Sequence, residues 1–192
     1  VEGQTYGWDA VIASGAAWFL DNGEGTEGFM AKGSFRTNGA SPAPLHLVRA
    51  DLRDGSVTLH EICGAPMGIV ANPPVVDESR SIAVGFDSAN ATMTAFDIHA
   101  DGTTSIRWQR EQGHGPHMVL YPDTGELVTH DHDLERMMEQ VVVVDIETGA
   151  ERGRVDTGSP LMAPVFPAPG FGRDLYSCAF PGITRIAVEP ED

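Results

Sequence analysis

The stretch GAPMGIVANPPVVDESRSIAVGFDSANATMTAFDIHADGTTSIRWQRE, residues 64–111, decides the fold. It contains four short runs with strand character. Pro74-Val75-Val76 is brief and apolar. Ser81 to Phe86 is the second run, and Thr92 to Ile98 alternates in polarity. Thr104 to Trp108 is the fourth. Turn-forming residues separate them: Asp77 to Arg80, Ser88-Ala89-Asn90 and Asp101-Gly102. Short β-rich runs punctuated in this way read as one four-stranded antiparallel sheet.

The plan recurs on both sides. Downstream, His117 to Tyr121, Glu126 to His130, Gln140 to Ile146 and Glu151 to Val155 repeat it. Ala95-Phe96-Asp97-Ile98 and Val143-Val144-Asp145-Ile146 occupy matching places. A further copy begins at Gly158-Ser159-Pro160, with runs at Ala163 to Phe166, Asp174 to Cys178 and Ile183 to Val188, and stops before a fourth strand. Upstream, the runs are Asp9 to Ala13, Ala17 to Leu20, Leu45 to Arg49 and Val57 to Glu61. Anchored on Val11, Val75, Val119 and Val165, the spacings are 64, 44 and 46 residues. The first is long because residues 21–44 form an insertion rich in Gly, Ser and Asn. Long loops in compact domains often carry function; Phe29, Met30 and Phe35 make this one a candidate lid, against the alternative of a flexible surface loop.

A period in the mid-forties with four strands per unit predicts an all-β propeller of four-stranded antiparallel blades. An ordinary β-sandwich is the competing reading. The expected blades cover about residues 7–63, 64–113, 114–157 and 158–192, with residues 1–6 supplying the strand that the last blade lacks. Closure then follows one of three routes: a small closed propeller, a ring completed by a second copy, or half of a larger ring. An open half-ring exposes two apolar sheet faces, which favours a homodimer or further sequence.

These phrases resemble the repeat of quinoprotein-type (PQQ-type) β-propellers. Pro74-Val75-Val76-Asp77, Ala95-Phe96-Asp97-Ile98 and Trp108 match that plan, as does Val144-Asp145-Ile146-Glu147-Thr148-Gly149. The resemblance covers most of the chain from about Leu45 and specifies blade type more than function. Propellers with this repeat include quinone dehydrogenases, assembly scaffolds and proteins that bind nothing known. A quinone enzyme is the weakest of these readings, because no adjacent-Cys pair or calcium ligand set is present. The segment from Gly115-Pro116-His117 to Asp123-Thr124-Gly125 also resembles lactonase-like and arylsulfotransferase-like blades, which use a blade-start histidine near the central channel. Asp9 and Pro74 stand at that place in the first two blades.

Composition bounds the partners. The 192 residues carry 12 Lys+Arg against 28 Asp+Glu, a formal charge of −16, which excludes a nucleic-acid or anionic-membrane binder. No apolar run is long enough for a membrane span. A small molecule or a protein is the expected partner. The chain starts at Val1 with no leader-like segment, so periplasmic, secreted and cytoplasmic locations all remain open. Cys63 and Cys178, 115 residues apart, read as two small buried hydrophobes.

Four of the seven histidines fall together: His114, His117, His130 and His132. Side chains at i and i+2 on a strand share a face, so His130 and His132 form a candidate bidentate metal pair. His114, His117 and Asp133 are further candidate ligands, with Glu135 an alternative to Asp133. Imidazole with carboxylate suits a divalent Zn, Fe, Mn or Cu. The cofactor is otherwise unassigned. His117 opens an inner strand and His130 ends the next, so antiparallel pairing brings them to one rim. In an enzyme, His117 is the candidate general base and Arg136 the candidate clamp for an anionic substrate. The competing view makes the histidines ordinary strand-end residues and Arg136 a solvated loop charge. Leu134 to Glu139 is expected to form a helical turn through Met137-Met138, and 97–102 a hairpin rather than a calcium loop. The functional reading is a binding module with its site on the rim near His117 and His130. The alternative is a metal- or histidine-dependent hydrolase, transferase or oxidoreductase using the same rim.

Overall fold

The computed structural model describes residues 4–24, 43–66, 68, 72–113, 117–160, 164–179 and 182–187. Burial is deepest in the middle strands of the sheets, where apolar runs have both faces covered. The first contains β1 (Gln4–Ala13), β2 (Ala16–Glu24), β3 (His46–Asp51) and β4 (Val57–Glu61). The second contains β5 (Val75–Asp77), β6 (Ile82–Asp87), β7 (Thr92–Ile98) and β8 (Thr104–Glu111). The third contains β9 (Met118–Tyr121), β10 (Glu126–Asp133), β11 (Met138–Asp145) and β12 (Glu151–Pro160). The fourth contains β13 (Pro164–Pro169), β14 (Asp174–Ala179) and β15 (Ile183–Ala187). Every sheet is antiparallel with its strands in chain order.

The sheets stack face to face because alternate residues of their middle strands point in opposite directions. Ala83 and Phe96 face the first sheet, where Trp18, Leu20 and Leu47 meet them. Ile82, Val84 and Phe86 face the third, against Leu127, Val142 and Val144. Val128 and Val141, one position over on their own strands, face Leu175 of the fourth. The first strands β1, β5, β9 and β13 touch in that order, so they lie along the inside of an arc.

The acids that punctuate the repeat have a definite task. Asp77 Oδ1 accepts the backbone N–H groups of Ser79 and Arg80 at 3.0 and 3.1 Å. Asp145 Oδ1 does the same for Glu147 and Thr148 at 2.8 and 2.9 Å. An Asp carboxylate capping the next two amides in this way closes a turn without backbone partners. An arginine then neutralises each carboxylate: Arg80 on Asp77 and Arg152 on Asp145. Neighbouring blades are also stapled at their rims. Trp108 Nε1 donates to Ile146 O at 2.8 Å, and its ring lies where a side chain on Gly149 would sit, 2.7 Å from Cδ2. Gly149 has φ +72°, so this turn needs glycine for both conformation and space.

Several local expectations change. Gln4 and Tyr6 pair with Glu24 and Asp21, so this segment continues β1 in the first sheet. It therefore does not lie along β15. The third sheet runs on to Pro160, past the expected boundary at 157. Residues 134–137 form a tight hairpin turn and not a helical turn; Met137 takes φ +53° and Met138 enters β11. The cysteines are free and half-buried rather than core residues. The core of the 21–44 insertion, including Phe29, Met30 and Phe35, lies outside the described residues.

Candidate functional site

Most buried polar side chains lie on one rim, where β2, β6 and β10 turn back into the third strands and each sheet hands over to the next. Asp21, Asn72, Asp87, Gln112, His130, Asp131 and Ser177 are all buried there. Interiors of stacked sheets are otherwise apolar, so a polar layer at one end of every interface needs partners of its own.

Three of these groups are carboxylates near the ends of successive second strands. Asp21 Oδ1 accepts the His46 amide at 3.0 Å and meets His46 Nδ1 at 3.1 Å. Asp87 accepts the Cys63 thiol at 3.5 Å and the Asn90 amide at 3.1 Å. Burial pushes the Cys63 thiol up from its ordinary value, so it stays protonated and a donor. Asp131 accepts the Gly113 amide at 3.0 Å and pairs with Arg154 at 2.9 Å. Asp87 and Asp131 therefore each hold the connection arriving from the previous sheet.

The histidines occupy this rim but face different neighbours. His130 is fully buried on β10, and its Nε2 lies 3.0 Å from Ser177 Oγ in the fourth sheet. Gln112 Nε2 donates to His130 O at 2.6 Å. The β9–β10 pairing ends at Met118 and Thr129, one step short of His117 and His130, and Thr129 Oγ1 lies 3.4 Å from His117 O. His117 and His130 thus reach the same rim, as antiparallel pairing requires. His132 sits beyond the end of β9, with its Nε2 2.6 Å from the position a Gly113 Cβ would take. Its ring lies beside the connection that Asp131 clamps. His130 packs toward the following sheet and His132 toward the preceding connection, although strand alternation by itself put both on one face.

Asp133 and Arg136 serve the hairpin between β10 and β11. Asp133 Oδ1 accepts the amides of Glu135 and Arg136, each at 3.0 Å, and Oδ2 accepts Arg136 Nε at 2.7 Å. The remaining Arg136 nitrogens grip Asp156 at 2.7 and 2.8 Å. The Arg136 hydrogen bond holds the Asp133 carboxyl below its usual range and is the largest cause of the Asp156 pKa falling to about 2. Among the described residues no three His, Cys, Asp or Glu side chains converge on a position that could hold a metal. His114 lies outside the described residues.

Two contributors escaped the sequence. Gln112 is unremarkable in the chain, yet it is buried and ties β8 to β10. Asn72 precedes two prolines at the entry to β5, is fully buried, and has no hydrogen-bond partner among the described residues for either end of its carboxamide. A single Asn before Pro-Pro reads as loop; only burial singles it out.

No family model matches the chain, and no curated protein matches it. Solved structures do. A luciferin-regenerating enzyme superposes with a TM-score of 0.58 at 16% identity, covering 93% of this chain and 55% of that one. An acylaminoacyl peptidase from Pyrococcus horikoshii gives 0.52 at 9% identity, covering 96% and 32%. The β-propeller domain of the trilobed protease from Pyrococcus furiosus gives 0.50 at 8% identity, covering 98% and 58%. The fold is that of a β-propeller. At these identities the likeness extends to fold alone, and the chain spans between about a third and somewhat over half of each neighbour's length.

Proposed function

We propose that this propeller segment is a ligand-binding module whose site is the polar rim, with Asn72 and the histidines His117, His130 and His132 as its recognition groups. The observation that carries the reading is Asn72. A fully buried carboxamide with no partner among the described residues costs about 1–3 kcal/mol, a cost that a bound polar molecule would offset. The amide offers two donors and two acceptor positions. The imidazoles on the same rim donate or accept according to tautomer. Together they suit a small, polar, hydroxyl- or carbonyl-bearing ligand. The acidic character of the chain disfavours polyanions.

The test is Asn72→Leu, which keeps the branched skeleton of the side chain and removes its polar atoms, combined with a fragment screen followed by side-chain NMR. The variant is expected to be more stable than the parent, because an unpartnered amide gives way to an apolar group. It is also expected to lose those fragment-induced shifts that reach His130 and His132. A destabilised variant means the amide has a structural partner, and the reading fails.

The metal- or histidine-dependent enzyme stands as the alternative outcome of a second measurement. Stoichiometric metal in purified protein, lost in a His130→Ala/His132→Ala double variant, favours the enzyme over the simple binding module.

A further inference from the structure

The four sheets form an arc that does not close on itself. Their first strands touch as β1 with β5, β5 with β9 and β9 with β13, and among the described residues no comparable contact joins β13 to β1. Each inner interface sets the forward face of one sheet against the backward face of the next. The first sheet therefore keeps a backward face, and the fourth a forward face, that no described sheet of this chain covers.

Both faces are built for a neighbour. On the first sheet, Trp18, Leu20 and Leu47 point to the second sheet, so the residues between them point the other way. There the register lines up Ile12, Ala17, Ala50 and Val57 in one row and Phe19, Val48 and Leu59 in the next. Ile12, Val57 and Leu59 are 66, 46 and 39% exposed. The turn after β3 carries the clearest sign. It closes as the turn after β11 does: the Asp51 and Asp145 amides donate to Ser56 O and Ala150 O, each at 2.8 Å. The Gly55 and Gly149 amides donate back to the carbonyls of those aspartates at 2.9 and 2.8 Å. A Cβ on Gly149 would lie 2.7 Å from Trp108 of the preceding sheet, and one on Gly102, in the corresponding turn of the second sheet, 3.1 Å from Arg49. A Cβ on Gly55 would meet nothing within 4 Å among the described residues.

On the fourth sheet, Leu175 and Ile186 point to the third, which leaves Tyr176 and Cys178 on the forward face, opposite Arg185 and Ile183. The first sheet buries the same layout in its own forward face, with Trp18 and Leu20 opposite Arg49 and Leu47. On the fourth sheet Ile183 is 70% exposed and the Arg185 side chain 66%.

We propose that the forward face of the fourth sheet docks on the backward face of the first sheet of a second copy, so that two copies close one ring. A second copy supplies both uncovered faces at once, and a half-turn makes the two contacts identical, which closes the assembly. Twice four sheets lies within the range of propeller rings. This chain covers 58% of the trilobed protease propeller, so the gap in such a ring is about three-quarters of this chain's length, and one copy is the smallest symmetric filling. In the contact, Arg185 takes over Gly55 of the other copy the place that Arg49 takes over Gly102. Each copy carries a formal charge of −16, so burial of apolar surface and not ion pairing drives the association.

The experiment is light scattering of the whole chain over a concentration series, with far-UV circular dichroism to confirm folding. The parent is expected at twice the chain mass, with a dimer fraction that rises as salt screens the repulsion between the copies. Ile183→Glu and Leu59→Glu, both at exposed positions, are expected to keep the fold and to be monomeric. Because the contact is head-to-tail, mixing these two variants leaves one contact intact and is expected to restore pairing at high concentration. Leu134→Glu, on the β10–β11 hairpin away from both end faces, is expected to stay dimeric. A monomeric parent, a dimer that survives Ile183→Glu and Leu59→Glu, a dimer that salt dissociates, or a mixture of the two variants that stays monomeric overturns the proposal.

Discussion

Replacing His130 and Ser177, singly and together, tests how the fourth sheet is locked onto the third. Both residues are fully buried, and their side chains meet at 3.0 Å across the interface. Ser177→Ala leaves the imidazole without that partner, and the expected loss is about 1–3 kcal/mol. His130→Phe leaves the hydroxyl buried and unsatisfied, with a loss of similar size partly offset by the larger apolar ring. Phenylalanine is a sensible probe because Phe86 stands at the corresponding place on β6, two residues past a valine that faces the next sheet. In the double variant both polar groups are gone. Its destabilisation should fall below the sum of the singles by about 0.5–3 kcal/mol, the range for contacting buried pairs. Urea unfolding measures each free energy, and an unchanged denaturant slope shows that the unfolding transition itself is unaltered. Effects that add to within about 0.3–0.5 kcal/mol refute the contact, and with it the seating of β14 against β10.

Four further outcomes follow from other parts of the molecule. The Asp156 and Asp133 carboxyls are depressed in the fold, so their contribution is fully present above about pH 4 and is lost as pH falls through their lowered values, toward about 2 for Asp156. The stability gap between the parent and Arg136→Gln is therefore expected to be flat near neutrality and to close between about pH 4 and pH 2; a gap that widens on acidification contradicts the pairing. Gly113→Ala places a Cβ 2.6 Å from His132 Nε2 and 2.8 Å from Asp131 Oδ1. It should cost about 1–3 kcal/mol, with NMR shifts concentrated at 113 and 131–132. Phe86→Ala, emptying the interface between the second and third sheets, should cost about 3–5 kcal/mol by chemical denaturation. Phe171→Ala, at a residue 95% exposed, should stay within about 0.5 kcal/mol.

The propeller was legible because its signals are local. Alternation along Thr92 to Ile98, the turn at Asp145 to Gly149 and the spacing between copies depend on residues a few positions apart. The structure answers each with a strand or a capped turn. Trp108 holds its place in the repeat and bonds to a turn that recurs with it. Of the candidate site, only the shared position of His117 and His130 on one rim was legible. His117 and His130 reach it because strand register carries them there. The role of Arg136 depends on Asp156, twenty residues away on β12, which no motif ties to it.

The sequence by itself determined strands, turns, blade count and the rim on which the histidines gather. Only the tertiary structure decided which polar groups are buried and what they meet. His130 and His132 follow the same alternation yet end beside different sheets, because β9 stops before it can cover both. Asn72 and Arg49 look like any loop Asn and strand Arg until two sheets close over them. Periodicity is set by neighbours along the chain. Desolvation is set by neighbours across it, and a polar group removed from water must find a partner wherever the packing leaves it.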